Sequence, residues 1–122
     1  MARIRHLAIL TEDVEKLVEF YTKAFGLKIV QGIGTATYLS DGHINVAIIP
    51  IEPERKIEGP QLKPGLYHFG FEVEDVGGVR EACKDLNAAT SVDKRPPNRE
   101  AEYRVHDPDG NPIDLSEHGW PI

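Results

Sequence analysis

The chain carries one pattern twice. His6-Leu-Ala-Ile-Leu-Thr-Glu12-Asp13-Val14 is matched by His68-Phe-Gly-Phe-Glu-Val-Glu74-Asp75-Val76, with His, Glu, Asp and Val at the same separations. A repeat at about half the chain length signals a duplicated supersecondary unit, and two such units bury their apolar sheet faces only by packing or pairing together. With 122 residues in all, the chain is expected to be one domain made of two half-size modules rather than two independent domains.

Each copy predicts the same elements. Ile4 to Leu10 reads as a strand, Thr11-Glu12-Asp13 supplies capping chemistry, and Leu17, Val18, Phe20, Tyr21, Ala24 and Phe25 recur at helical spacing until Gly26. Residues 28–32, 35–40 and 43–50 read as strands, with Asp41-Gly42 as a hairpin signal. Residues 51–64 contain Pro53, Pro60 and Pro64 without periodicity and are expected to be a linker between modules 1–50 and 65–122. The second half repeats the order: a strand over 66–73, Glu74-Asp75 as cap and a helix over 76–86. Strands near 90–94 and 101–106, a turn at Asp107-Pro108-Asp109-Gly110 and a strand over 112–117 complete it.

Composition excludes several function classes. A net charge of −6, from 14 basic and 20 acidic residues, with Lys94-Arg95 and Arg99 as the longest basic cluster, argues against a nucleic-acid partner. No stretch approaches the roughly 18 apolar residues of a membrane span, so no membrane association and a cytoplasmic location are expected. The single cysteine, Cys83, excludes an intramolecular disulfide. It lies in the apolar pattern of Val79, Ala82 and Leu86, as a packed residue would.

The repeat places His6 and His68 at equivalent positions of two first strands, and hence at equivalent positions on a shared concave face. Asp114, flanked by Ile113 and Leu115, points opposite to both neighbours and can face the same cavity. Glu117 has the opposite parity, so only one of the two carboxylates should face inward. Two His and one carboxylate leave coordination positions open, as a catalytic Fe(II), Mn(II) or Zn(II) site requires. A lone strand histidine is more often a core or surface residue; the repeat-equivalent pair is what favours a metal. His43, His106 and His118 are expected to be solvated near turns or in the tail, and Trp120 to cover apolar surface.

The paired His-x-x-x-x-x-Glu-Asp-Val strands, the Phe20-Tyr21-x-x-x-Phe25-Gly26-Leu27 helix end and the Asp107-Pro-Asp-Gly-Asn-Pro-Ile-Asp114 terminus together resemble the vicinal oxygen chelate superfamily, also called glyoxalase/bleomycin-resistance/dioxygenase proteins. The resemblance covers essentially the whole chain. It implies an α+β fold in which two tandem βαβββ modules form a cupped eight-stranded mixed sheet, helices outside, around a divalent metal (Fe, Mn, Zn or Ni) that chelates vicinal oxygens of a small substrate. His6 and His68 match the first-strand ligands and Asp114 the final-strand ligand, where the family more usually has Glu.

Glyoxalase I and methylmalonyl-CoA epimerase have a further Glu or Gln ligand on the fourth strand of the first module. Here His43-Ile44-Asn45-Val46-Ala47-Ile48 offers only Asn45, which favours the branches with two His and one carboxylate, the extradiol dioxygenases and the fosfomycin-resistance transferases. Lys94, Arg95 and Arg99 suit a phosphonate, but the Ser-rich loop of those transferases is missing. Tyr38, Asn45, Tyr103 and Arg104 are expected to line the substrate pocket, against a default of ordinary sheet packing. His106 and Glu52 are acid or base candidates. The expectation is a metal-dependent enzyme, dioxygenase-like or lyase/isomerase-like, that forms a homodimer. The competing readings are a metal-free binder of a drug or metabolite, as in the bleomycin-resistance branch, and a vestigial subunit that keeps the fold for interaction alone.

Overall fold

The computed structural model describes residues 1–30, 35–51, 63–86, 93–95 and 99–122. Its elements are β1 (Arg3–Thr11), α1 (Val14–Phe25), β2 (Lys28–Val30), β3 (Thr37–Ser40), β4 (Asn45–Pro50), β5 (Gly65–Glu72), α2 (Val76–Asp85), β6 (Asp93–Lys94), β7 (Tyr103–His106) and β8 (Pro112–Ser116). The strands form an open, mixed, eight-stranded sheet in the order β2-β3-β4-β1-β5-β8-β7-β6. Within it β5 and β8 run parallel, and β2–β3, β3–β4, β6–β7 and β7–β8 are antiparallel. Each half of the sequence contributes its strands in the same relative order, as the duplicated βαβββ unit predicts. Most of the expected linker, and the start of the strand expected over 90–94, lie outside the described residues. Among the described residues no helix is long and apolar enough to cross a membrane.

The chain divides into two compact units, Leu7–Tyr67 with Pro121–Ile122, and Met1–His6 with His68–Trp120. In the first, Asp13 caps α1 by accepting a hydrogen bond from Lys16 N at 3.0 Å. Gly26 ends the helix in the left-handed region (φ 73°), where its N–H and that of Leu27 return to Thr22 O and Tyr21 O. Ala8, Leu10, Tyr38, Ala47 and Ile49 form this unit's core, joined by Val30, Ala36, Ile51 and Tyr67. Leu39 and Ile48, with strand parity opposite to Tyr38 and Ala47, are also fully buried. At the β3–β4 turn Asp41 accepts from the backbone N–H groups of His43 and Ile44, both at 2.8 Å.

In the other unit Val73, Val76, Val105 and Leu115 make the core, with Phe71, Val79, Cys83, Tyr103 and Ile113 against it. Cys83 is thus a packing residue, as its spacing suggests. The β7–β8 connection is built on Asp107, whose carboxylate accepts from Asp109 N, Asn111 N and Asn111 Nδ2, while Gly110 takes φ 88°. That turn sets a register in which Arg104 lies opposite Asp114.

The start of α2 corrects the sequence reading. Asp75 occupies the N-cap position without a side-chain capping bond, and Glu74 instead pairs with the Met1 amine at 2.9 Å. The cap comes from the far end of the unit: Glu117 Oε2 accepts from Val76 N at 2.9 Å. An acceptor aimed at an orphan first-turn N–H, with a negative charge at the positive end of the helix dipole, stabilises wherever it originates. We expect Glu117→Ala to lower unfolding free energy in urea by about 1 kcal/mol. Asp75→Ala, which removes no such bond, should change it by less than about 0.5 kcal/mol.

Candidate metal centre

Strand alternation brings the site together. On β8, Ile113 and Leu115 turn toward the core beside α2, so Asp114 projects from the other face. On β7 the same alternation separates Tyr103 and Val105, on the α2 side, from Arg104, which stands directly across from Asp114. On β5, Gly70 pairs with Asp114, and His68 lies two residues before it on the same face. His6 Nε2 is 3.2 Å from His68 Nε2, and His68 Nε2 is 3.2 Å from Asp114 Oδ2. The ligand atoms of all three lie within 4.8 Å of one another.

Arg104 completes the cluster. Its Nε donates to Asp114 Oδ1 at 2.6 Å and its Nη2 to Asp114 Oδ2 at 3.2 Å, the two-pronged geometry that a planar guanidinium makes with a carboxylate. The same Nη2 lies 3.5 Å from His68 Nδ1. His6, His68, Asp114 and Arg104 retain 3%, 9%, 6% and 3% of their exposure, which leaves almost no bulk water to screen their charges. Burial is the largest influence on His68 and holds it below its ordinary value, although the hydrogen bond and charge of Asp114 partly oppose this. His68 is therefore neutral at pH 7. Burial pushes the Asp114 carboxyl up, but its hydrogen bonds with His68 and Arg104 and the charge of the guanidinium outweigh that and hold it well below the carboxylate range. With His68 neutral, the permanent charge that keeps Asp114 ionised is the guanidinium of Arg104.

Trp120 forms the wall on the His6 side. Its indole stacks on His6 with ring centroids 4.7 Å apart and planes 2° apart. The tail that carries it is tied down: Ser116 Oγ accepts from Gly119 N and donates to Glu100 O, both at 2.9 Å, Gly119 takes φ 82°, and Glu102 accepts from Glu117 N. Space for the indole exists because position 70 has no side chain. A Cβ there would sit 2.6 Å from Trp120 Cη2 and 3.2 Å from His6 Cβ. The first module has Ala8 at the equivalent position. This Gly-for-Ala difference between the repeats was the available sequence signal for Trp120, which the sequence reading assigned only to covering apolar surface.

The remaining predicted residues have other places. Glu117 caps α2, so of the two C-terminal carboxylates Asp114 is the one beside the histidines. Tyr103, expected in the pocket, lies on the α2 side of β7, where the Arg80 guanidinium stacks 4.2 Å from its ring centroid. Arg104, also expected to line the pocket, is engaged with Asp114. Tyr38 belongs to the core of the other unit, and Asn45, fully buried there, donates to Pro121 O at 2.8 Å. His118 Nδ1 lies 3.1 Å from Glu102 Oε1, and His43 is exposed at its turn. His106 ends β7 half-buried, and Glu52 falls outside the described residues.

Comparison with known proteins gives a family match. The family model described as Glyoxalase/Bleomycin resistance protein/Dioxygenase superfamily matches residues 3–115. No curated protein matches. Among solved structures, a hypothetical protein from Bacillus halodurans is 15% identical with a TM-score of 0.71, over 93% of this chain and 92% of that one. Methylmalonyl-CoA epimerase from Mycobacterium tuberculosis is 14% identical with a TM-score of 0.64, over 92% and 85%. Homoprotocatechuate 2,3-dioxygenase from Brevibacterium fuscum, solved with 3,4-dihydroxyphenylacetate, is 22% identical with a TM-score of 0.70, over 98% of this chain but 37% of the larger enzyme. At these identities the likeness is one of fold.

Two outcomes follow from the geometry. Gly70→Ala should displace Trp120 from His6, shift its fluorescence toward that of solvated indole and cost about 1–3 kcal/mol in denaturant unfolding. Because His68 is held below its ordinary value of 6.5 in the folded chain, the unfolded chain takes up the proton first as pH falls. Stability from this group is therefore complete above about pH 6.5 and declines below it. His68→Gln should flatten that part of a plot of unfolding free energy against pH.

Proposed function

This chain belongs to the glyoxalase/bleomycin resistance protein/dioxygenase superfamily, and on that premise we propose that it is a metal-dependent enzyme acting on adjacent oxygens of a small molecule. The observation that carries the proposal is the spacing of His6 Nε2, His68 Nε2 and Asp114 Oδ2. Ligands about 2.0–2.2 Å from a common ion at tetrahedral to octahedral angles lie about 2.8–3.6 Å from one another. The two separations from His68 Nε2, both 3.2 Å, fall in that range, and the three atoms all lie within 4.8 Å of one another. The donor chemistry fits as well: imidazole and carboxylate are ordinary ligands of a divalent ion, and the proton that His68 Nε2 shares with Asp114 Oδ2 would leave as the ion binds.

A divalent ion held there would supply Lewis acidity to two adjacent oxygens of a substrate. The chain's own groups do the rest. Arg104 fixes the plane of the Asp114 carboxylate, and Trp120 covers one face of His6 and keeps water from it. The fold neighbours support two reaction classes: oxygenative ring cleavage, as in an enzyme that binds a 3,4-dihydroxyphenyl compound, and isomerase or lyase chemistry, as in an epimerase of a CoA thioester. Two histidines with one carboxylate is a ligand set used for non-haem Fe(II), which favours the first class. The alternative, a metal-free binder of small molecules, is favoured by one feature: Arg104 already compensates the charge of Asp114.

The test is elemental analysis of protein prepared without chelators, for wild type beside His6→Ala and His68→Ala. About one first-row ion per chain, lost in both variants, is the expected result and directs screening to catechols and 2-oxoaldehydes. A protein that takes up no Fe(II), Mn(II), Zn(II) or Ni(II) under anaerobic conditions rules out the metal-dependent enzyme and leaves ligand sequestration.

A further inference from the structure

The donor set above assigns no role to Arg104 toward an ion, although this side chain makes two hydrogen bonds to the carboxylate. Resting on the reading of His6, His68 and Asp114 as a divalent-ion site, we propose that Arg104 is a positioning residue and internal counter-cation: it confines Asp114 to ligation through Oδ2 alone and keeps the ion weakly held and exchangeable.

Geometry supports the first part. Arg104 grips Asp114 Oδ1 tightly, at 2.6 Å from Nε, and Oδ2 more loosely, at 3.2 Å from Nη2, and it is Oδ2 that faces His68 Nε2. The guanidinium is planar and rigid, and its strand position lies directly across from that of Asp114, so neither partner can swing without the other. Ligation through both oxygens would strip Oδ1 from a donor that has 3% of its exposure left, with no bulk water to replace the bond. The carboxylate therefore occupies one coordination position rather than two, and a further position stays open to substrate.

Charge supports the second part. The guanidinium and carboxylate cancel each other, so an entering divalent ion leaves its whole charge uncompensated beside a fixed cation in a low-dielectric setting. Arginine does not deprotonate within any working pH range, so the repulsion persists under all conditions of use. Removing it while leaving Asp114 in place creates a buried carboxylate with no permanent counter-charge, which an ion relieves.

The experiment is Co(II) titration of the full chain, with the dissociation constant from calorimetry and the ligand field from visible absorption. Wild type is compared with Arg104→Met, Arg104→Gln and Arg104→Lys, and circular dichroism identifies the folded variants. The glutamine variant keeps an amide donor should the methionine variant fail to fold. Either neutral variant is expected to bind Co(II) about tenfold or more tighter than wild type. Weaker visible bands should accompany this, because Asp114 then chelates through both oxygens. Arg104→Lys keeps the charge and should stay within about threefold of wild type. Folded neutral variants that bind no tighter than a metal-binding wild type overturn the role of Arg104 alone. Failure of wild type and all folded variants to bind Co(II) overturns the ion site as well, whereas binding gained only in the neutral variants supports Arg104 as the barrier to loading.

Discussion

The Asp114 carboxylate, ionised and nearly shut off from solvent, is the feature around which the site-bearing unit is arranged. An ionised carboxylate in that position is costly unless charge and hydrogen bonds reach it, and removing one partner of such a pair typically costs about 3–5 kcal/mol. Here Arg104 reaches it from the neighbouring strand and His68 from the strand on the other side. The register of three strands thus serves one charged group. The aliphatic positions flanking Asp114 face the opposite way, into the core beside α2, so burial of Ile113 and Leu115 is what holds the carboxylate in its place.

Duplication explains the plan and divergence explains the site. Both halves place a histidine on their first strand and follow it with an acidic pair before a helix. The first copy keeps its helix cap local, on Asp13. The second has passed that task to Glu117, which leaves Asp75 without a capping bond. Likewise Ala8 in one copy became Gly70 in the other, and the vacated volume holds the edge of Trp120. The altered positions, Gly70, Asp75 and Glu117, all lie in the unit that holds His6, His68 and Asp114.

Much of this was legible in the sequence because it rests on periodicity. The repeat paired His6 with His68, strand parity allowed Asp114 or Glu117 but not both to face them, and Gly26 and Asp107-Pro108-Asp109-Gly110 marked a helix end and a turn that the structure contains. Three features were not legible, and each depends on contacts between residues far apart in sequence. The sequence places Arg104 only among the pocket residues, because a strand arginine carries no mark of its cross-strand partner. Tyr103 was placed in the pocket because its inward or outward parity depends on which face α2 covers. Glu117 was read as the alternative to Asp114 because a cap supplied from 41 residues away leaves no local pattern.

The pairing of His6 with His68, and of the Val76 N–H with Glu117, joins early sequence to late. The site-bearing unit is discontinuous, with Met1–His6 completing a unit otherwise made from His68–Trp120. During synthesis the first strand therefore leaves the ribosome long before its partners exist, and α2 emerges before the residue that caps it. Contacts of such long sequence separation slow folding, because chain closure has to be completed before it is rewarded. Neither half of the polypeptide holds the whole constellation, so the cluster of His6, His68 and Asp114 arises only when β8 has been made.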